Sequence, residues 1–122
     1  MLDSYALLNM VVMYDKLSWM ITRVEVNESI QKKLDEDIRT GRFDVEVRDL
    51  IAFWITEIKE IGYEEYIKSP LAKSFNDHFL QDKRQGERSI NLDSTGGRLI
   101  YKYLKNKVIV KVIKITPDHD YN

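Results

Sequence analysis

Residues 86–116 hold three strand-like segments separated by two turn signals, a pattern that commits the second half of the chain to an antiparallel meander. In Glu87–Leu92 the apolar Ile90 and Leu92 fall on one face. Asp93-Ser-Thr-Gly-Gly97 reads as a turn whose glycines are free to take positive φ. Arg98–Leu104 alternates Arg98, Ile100, Lys102 and Leu104 against Leu99, Tyr101 and Tyr103. Lys105-Asn-Lys107 predicts a tight hairpin turn. Val108–Ile115 is nearly continuous and β-branched, as a strand buried on both faces requires. Pro117-Asp-His119-Asp-Tyr121 then forms a short polar tail.

Upstream the periodicity changes. Met20, Thr22, Val24 and Val26 alternate with Ile21, Arg23 and Glu25, which predicts a half-buried strand over 19–26. Asn27 is a good N-cap for a helix from Glu28 to Arg39, with the stripe Ile30, Leu34 and Ile38, and Gly41 ends it. From about Asp44 to Ile61, Val47, Leu50, Ile51, Trp54, Ile55, Ile58 and Ile61 recur at helical spacing. That stripe reads as packing against a sheet. Gly62 bends or ends this helix, Tyr63–Ile67 adds a turn, and residues 71–80 form a short helix or a loop. The order predicts an α+β layer, with helices packed on one face of a small twisted antiparallel sheet. Residues 1–19 form an apolar extension, predicted helical from Tyr5, Leu8 and Val12, and residues 20–122 form the domain proper. The extension either covers the long helix, makes a homodimer contact, or is dispensable because Met13 or Met20 is the true start.

The bulk numbers bound the class. With 122 residues, 43% apolar and 32% charged, the chain suits one globular domain. It has no cysteine, which excludes disulfides and thiolate metal sites. Its two histidines leave a zinc site unconvincing, so neither metal nor cofactor is expected. No apolar run approaches a membrane span, and Asp3 with no basic leader argues against a signal peptide, so a cytoplasmic protein without membrane association is expected. The net charge of −1 hides a split. Residues 1–67 hold 8 Lys and Arg against 14 Asp and Glu, a net of −6, whereas residues 68–122 hold 11 against 6, a net of +5. The second half therefore either faces a polyanion or presents a solvated basic strand face.

Several fragments together resemble the RelE/ParE superfamily of toxin–antitoxin systems, in particular its RNA-cutting RelE and YafQ branches. Met20-Ile-Thr-Arg-Val-Glu-Val26 before a Lys-rich helix resembles the start of such toxins. Ser89-Ile-Asn-Leu-Asp-Ser-Thr-Gly-Gly-Arg98-Leu-Ile-Tyr101 resembles their second and third strands, and Lys107-Val-Ile-Val110 their fourth. His78-Phe-Leu80 followed by Gly86-Glu-Arg88 resembles the YafQ approach to the second strand. Asp118-His119-Asp-Tyr121 resembles the C-terminal histidine and aromatic. The match covers residues 76–121 well and 20–38 loosely, and leaves the first 19 residues and the helix at 44–61 unexplained.

This resemblance implies a toxin that cuts mRNA on the translating ribosome without metal and is held inactive by a cognate antitoxin. Metal-free cleavage needs a base for the ribose 2′-OH, a cation for the crowded phosphate and an acid for the leaving 5′-oxygen. Arg98 is the candidate cation, always charged and able to fork onto phosphate oxygens; the plainer reading pairs it with Asp93 or Glu87 on the surface. His119 is the candidate acid or base, against an idle chain end. Tyr121 could stack on a base, and Glu87 could supply the base, as a carboxylate does in the YoeB branch. His78 and Arg88 would line the same cleft, although a capping or surface histidine serves equally well. Lys83, Arg84 and Lys102 would attract phosphate non-specifically. Ser89 and Asn91 stand where RelE carries lysines or YafQ a histidine, and neither is a strong base or a cation. A ParE-like toxin that binds gyrase, or an inactive regulator on the same fold, are the competing readings.

Overall fold

The computed structural model describes residues 21–118; the extension 1–19, His119 and Tyr121 lie outside the described residues. The elements in chain order are β1 (Arg23–Glu25), α1 (Glu28–Arg39), α2 (Glu46–Ile61), α3 (Tyr63–Lys68), α4 (Pro70–Ser74), β2 (His78–Phe79), a 3₁₀ turn (Asp82–Arg84), β3 (Arg88–Asn91), β4 (Arg98–Leu104) and β5 (Ile109–Thr116).

Local chemistry sets the helix ends. The Asn27 side chain accepts a hydrogen bond from the Ile30 amide at 2.9 Å, satisfying one orphan donor of α1. Gly41, at φ 78°, lies just past its C-cap Thr40. α2 ends at Gly62, whose φ of 83° breaks the helix and turns the chain into α3. Ser69 caps α4, with Pro70 in the first turn where a missing amide costs nothing.

The five strands are ordered β1-β5-β4-β3-β2. The meander β3-β4-β5 is antiparallel as expected, and β4 spans Arg98–Leu104 as read from its alternation. Three details differ from expectation. β1 is only three residues long and joins β5 in parallel, Val24 opposite Val110, so the sheet is mixed rather than wholly antiparallel. The whole helical layer lies between these strands in sequence, which is length enough to re-enter the sheet in the same direction. The segment at 71–80 contains an edge strand, β2, that places His78 opposite Ser89. Finally, β5 starts at Ile109 rather than Val108, because Val108 takes φ 55° to close the hairpin.

The helices' apolar stripes enter one core. Leu34 of α1, Val47, Ile51, Trp54 and Ile58 of α2, and Tyr63 and Tyr66 of α3 pack with Ile90, Leu99, Tyr101, Val110, Val112 and Ile115 of the sheet. Those strand residues share one face. The other face carries His78, Ser89, Asn91, Arg98, Ile100, Lys102, Lys111 and Lys114 in register across four strands. A bulge keeps that assignment: Ile100 faces Lys114 and Tyr101 faces Val112, leaving Ile113 without an opposite residue.

Candidate functional site

The outer face of the sheet is assembled from alternate residues of each strand. Asn91 on β3 lies opposite Arg98 on β4, which in turn lies opposite Thr116 on β5. One row along, His78, Ser89, Ile100 and Lys114 form a line across β2, β3, β4 and β5. Lys102 and Lys111 pair beyond the bulge. Like charges directly opposite on a sheet repel, so this pairing is retained against a local cost. Glu25 on β1 is the carboxylate opposite Lys111 at the parallel edge.

Arg98 is bound by neither Asp93 nor Glu87. Its Nη1 donates to the Gly97 carbonyl at 2.8 Å, and it makes no ion pair among the described residues. Asp93 instead accepts the Gly97 amide at 2.7 Å and the Thr95 amide at 3.1 Å, holding the β3–β4 turn. Glu87 pairs with Arg84 at 2.8 Å, both about four-fifths buried. Three side-chain atoms on this face are buried without a hydrogen-bond partner: Ser89 Oγ, Asn91 Oδ1 and Arg98 Nε. Polar atoms left so cost about 1–3 kcal/mol each, and such cost concentrates where a structure serves something other than stability. Ser89, on the same face, is itself fully buried.

His78 is half-buried, and its Nδ1 lies 2.7 Å from the Asn76 carbonyl. A carbonyl only accepts, so Nδ1 carries the proton and Nε2 is the basic nitrogen of the neutral ring. Lys83 and Arg84 belong to the 3₁₀ turn between β2 and β3, at the opposite edge of the sheet from β1.

Arg88 points to the core face, away from Arg98. Its Nε donates to Asp77 Oδ1 at 2.6 Å, and its guanidinium lies 4.1 Å over the Phe79 ring. Asp77 Oδ2 accepts from both Tyr66 and Tyr101 hydroxyls at 2.7 Å. The Trp54 indole donates to Tyr66 Oη at 2.8 Å. Since the Tyr101 proton goes to Asp77, Tyr63 supplies the proton in the 2.9 Å Tyr63–Tyr101 contact. Burial, with the Asp77 charge next in size, pushes the Tyr101 phenol far above its ordinary range. Tyr66 is raised for the same two reasons, and burial brings Tyr63 up to about 12. Around Arg88, burial opposes the charge, but the hydrogen bond and charge of Asp77 outweigh it and raise the guanidinium further. The sequence reading missed this hub, because its members are 11 to 24 residues from Asp77 and share no local motif.

Among the described residues, no group of three or more His, Asp or Glu side chains is placed to hold a metal, and no helix is long and apolar enough to cross a membrane.

No protein-family model and no curated protein matches the sequence. Two solved structures resemble the fold. A conserved hypothetical protein of Helicobacter pylori superposes with a TM-score of 0.51 at 18% identity, over 81% of this chain and 96% of the other. A copper-bound mutant toxin, also from Helicobacter pylori, superposes with a TM-score of 0.52 at 21% identity, over 78% and 92%. At such identities the likeness is one of fold: the chain has the α+β fold of these two proteins.

Proposed function

We propose that this chain is the toxin of a type II toxin–antitoxin system: a metal-independent endoribonuclease that cuts mRNA at the ribosome and is silenced by a cognate antitoxin. The observation that carries the reading is Arg98. It is an arginine without a carboxylate partner among the described residues, on the sheet face that also bears Lys102, Lys111 and Lys114. An arginine kept apart from carboxylates retains its full attraction for phosphate, and the lysines add a field that draws in polyanions. Sharing a fold with a Helicobacter pylori toxin supports the toxin class.

In the proposed step, a base removes the proton from the ribose 2′-OH and the 2′-oxygen attacks phosphorus. The bond to the 5′-oxygen breaks, an acid protonates that oxygen, and a cyclic phosphate remains. Arg98 stabilises the doubly charged phosphorane. His119, with Tyr121 to stack a base, supplies acid–base chemistry from the tail. His78 Nε2 offers a second basic nitrogen on the same face as Arg98. Glu87 is the weaker candidate base, since Arg84 already holds it at 2.8 Å.

Induced expression, followed by growth and by mapping of mRNA ends, tests this. Growth arrest with new mRNA ends, both lost in Arg98→Ala and both relieved by co-expressing a neighbouring antitoxin gene, is the expected result. Arrest with intact mRNA and induced DNA damage would instead favour a gyrase-binding toxin. Normal growth while the wild-type protein accumulates would favour a non-catalytic regulator.

A further inference from the structure

The edge of the molecule where α2 meets the β3–β4 turn has the opposite character to the cationic sheet face. Phe53 is 49% exposed there, a large aromatic left in water on the outer side of α2. It stands between two clefts, of about 520 and 410 Å³, that share Leu50, Phe53, Leu92 and Asp93 as lining. The smaller continues along Leu71 and Phe75. The larger is bounded by Asp44, Glu46 and Asp49, and among the described residues no lysine or arginine lines either cleft. Asp44, Glu46 and Asp49 make no ion pair among the described residues. Asp49 and Phe53 are one helical turn apart and Glu46 is two, so acid and aromatic occupy one side of α2. Val45, between Asp44 and Glu46 in sequence, is 68% exposed.

An apolar floor with a one-sign rim selects its occupant. An acidic segment or a nucleic acid would bring its charge against three unpaired carboxylates, whereas a cationic segment would neutralise them while burying Phe53. We propose that this groove docks an amphipathic, lysine- or arginine-bearing segment of a partner protein, which inserts an aliphatic or aromatic anchor beside Phe53. Charge complementarity sets the choice: among the described residues every charged side chain lining the clefts is acidic, and Arg98, Lys102, Lys111 and Lys114 lie on the outer face of the sheet. A buried aromatic at the centre of a contact typically carries much of the affinity, and rim charges set on-rate and salt dependence. This docking mode does not require ribonuclease activity: apart from Asn91, which lines the smaller cleft, its residues lie outside the candidate site at Arg98.

The test titrates the isotopically labelled full chain with a synthetic helix of Leu, Trp and Lys, and with its counterpart carrying Glu at every Lys position. The expected result is amide shift changes confined to α2, α4 and the β3–β4 turn with the Lys peptide alone, weakening as salt is added. Phe53→Ser should weaken binding roughly tenfold or more, as loss of a central aromatic does. Paired Asp44→Asn and Asp49→Asn should weaken it severalfold and flatten the salt dependence. Arg98→Ala should bind as wild type does. Equal binding of both peptides, shifts centred elsewhere, or no shifts at all would overturn the proposal. So would concentration-dependent shifts at Phe53 without peptide, which would assign the groove to a second copy of this chain.

Discussion

Arg88 Nε lies 2.6 Å from Asp77 Oδ1, and the Asp77 side chain is completely shielded from solvent. This pair ties β3 to the segment between α4 and β2, while Tyr66 and Tyr101 tie the same carboxylate to α3 and β4. Removing one partner leaves the other charged and buried, which costs far more than the pair contributes. We expect Asp77→Ala to lower unfolding free energy by roughly 3–5 kcal/mol in urea titration. A paired replacement, Asp77→Leu with Arg88→Met, should cost clearly less than either single change. A double-mutant cycle that came out additive would mean that the two side chains do not act together.

Alkaline pH tests the same hub from the tyrosine side. Tyr63 is raised to about 12 by burial, and Tyr66 and Tyr101 are raised further. A phenol with a raised folded-state pKa favours the fold while both states are protonated. That contribution is lost as pH climbs from the unfolded value near 10 through the folded value. Stability should therefore be flat on this account below about pH 9. It should then fall by about 1.4 kcal/mol per pH unit for each of these tyrosines that ionises only on unfolding. Absorbance of tyrosinate should rise in step with the loss of near-ultraviolet circular dichroism. A full phenolate titration with the fold intact would count against the hub.

The β3–β4 turn shows how sequence can point to the right residue for an incomplete reason. Gly96 does take φ 120°, as a turn glycine is expected to. Gly97 does not have a positive φ; a Cβ there would lie 2.6 Å from Cε1 of the buried Phe43 and 3.0 Å from both Asp93 oxygens. Gly97→Ala must therefore displace a core ring or the carboxylate that holds the turn. Overpacking of this kind costs about 1–3 kcal/mol, which a shift in urea midpoint at constant slope would register. Gly96→Ala strains the backbone instead, and because the two glycines are adjacent in one turn their costs should couple rather than add.

The legible parts of this fold were those governed by neighbours in sequence. The helix from Glu28 to Arg39 carries its own cap and stripe, and the strand from Arg98 to Leu104 its own alternation, and both lie where those signals put them. β2 is two residues long and exists because β3 offers it an edge, so His78 and Phe79 carry no periodic signal. The parallel pairing of β1 to β5 and the carboxylate hub join residues far apart in the chain, which local patterns do not encode. At the candidate site, alternation correctly set Arg98, Ile100 and Lys102 on one face. The same alternation gives Arg88 the parity of Ile90 and Leu92, against the cleft role that the resemblance implied, and it does face the core side and meet Asp77. His119 and Tyr121 lie outside the described residues.

Arg98 also allows function and stability to be separated. Its Nε is buried without a partner, beside the equally unpartnered Asn91 Oδ1 and Ser89 Oγ. If these atoms serve a phosphate, the free protein bears their desolvation cost, and removing the guanidinium should relieve part of it. Arg98→Leu is therefore expected to leave stability unchanged or raise it by about 1 kcal/mol, while reducing RNA cleavage by roughly 10²–10³-fold. Arg98→Lys keeps the charge but loses the planar fork, so it should recover little activity although it restores the net charge. Paired measurement of urea midpoint and cleavage rate on the same preparations decides the matter. A variant that loses stability and activity together would mark Arg98 as a structural residue of the turn, held through the Gly97 carbonyl, rather than as the phosphate-binding group.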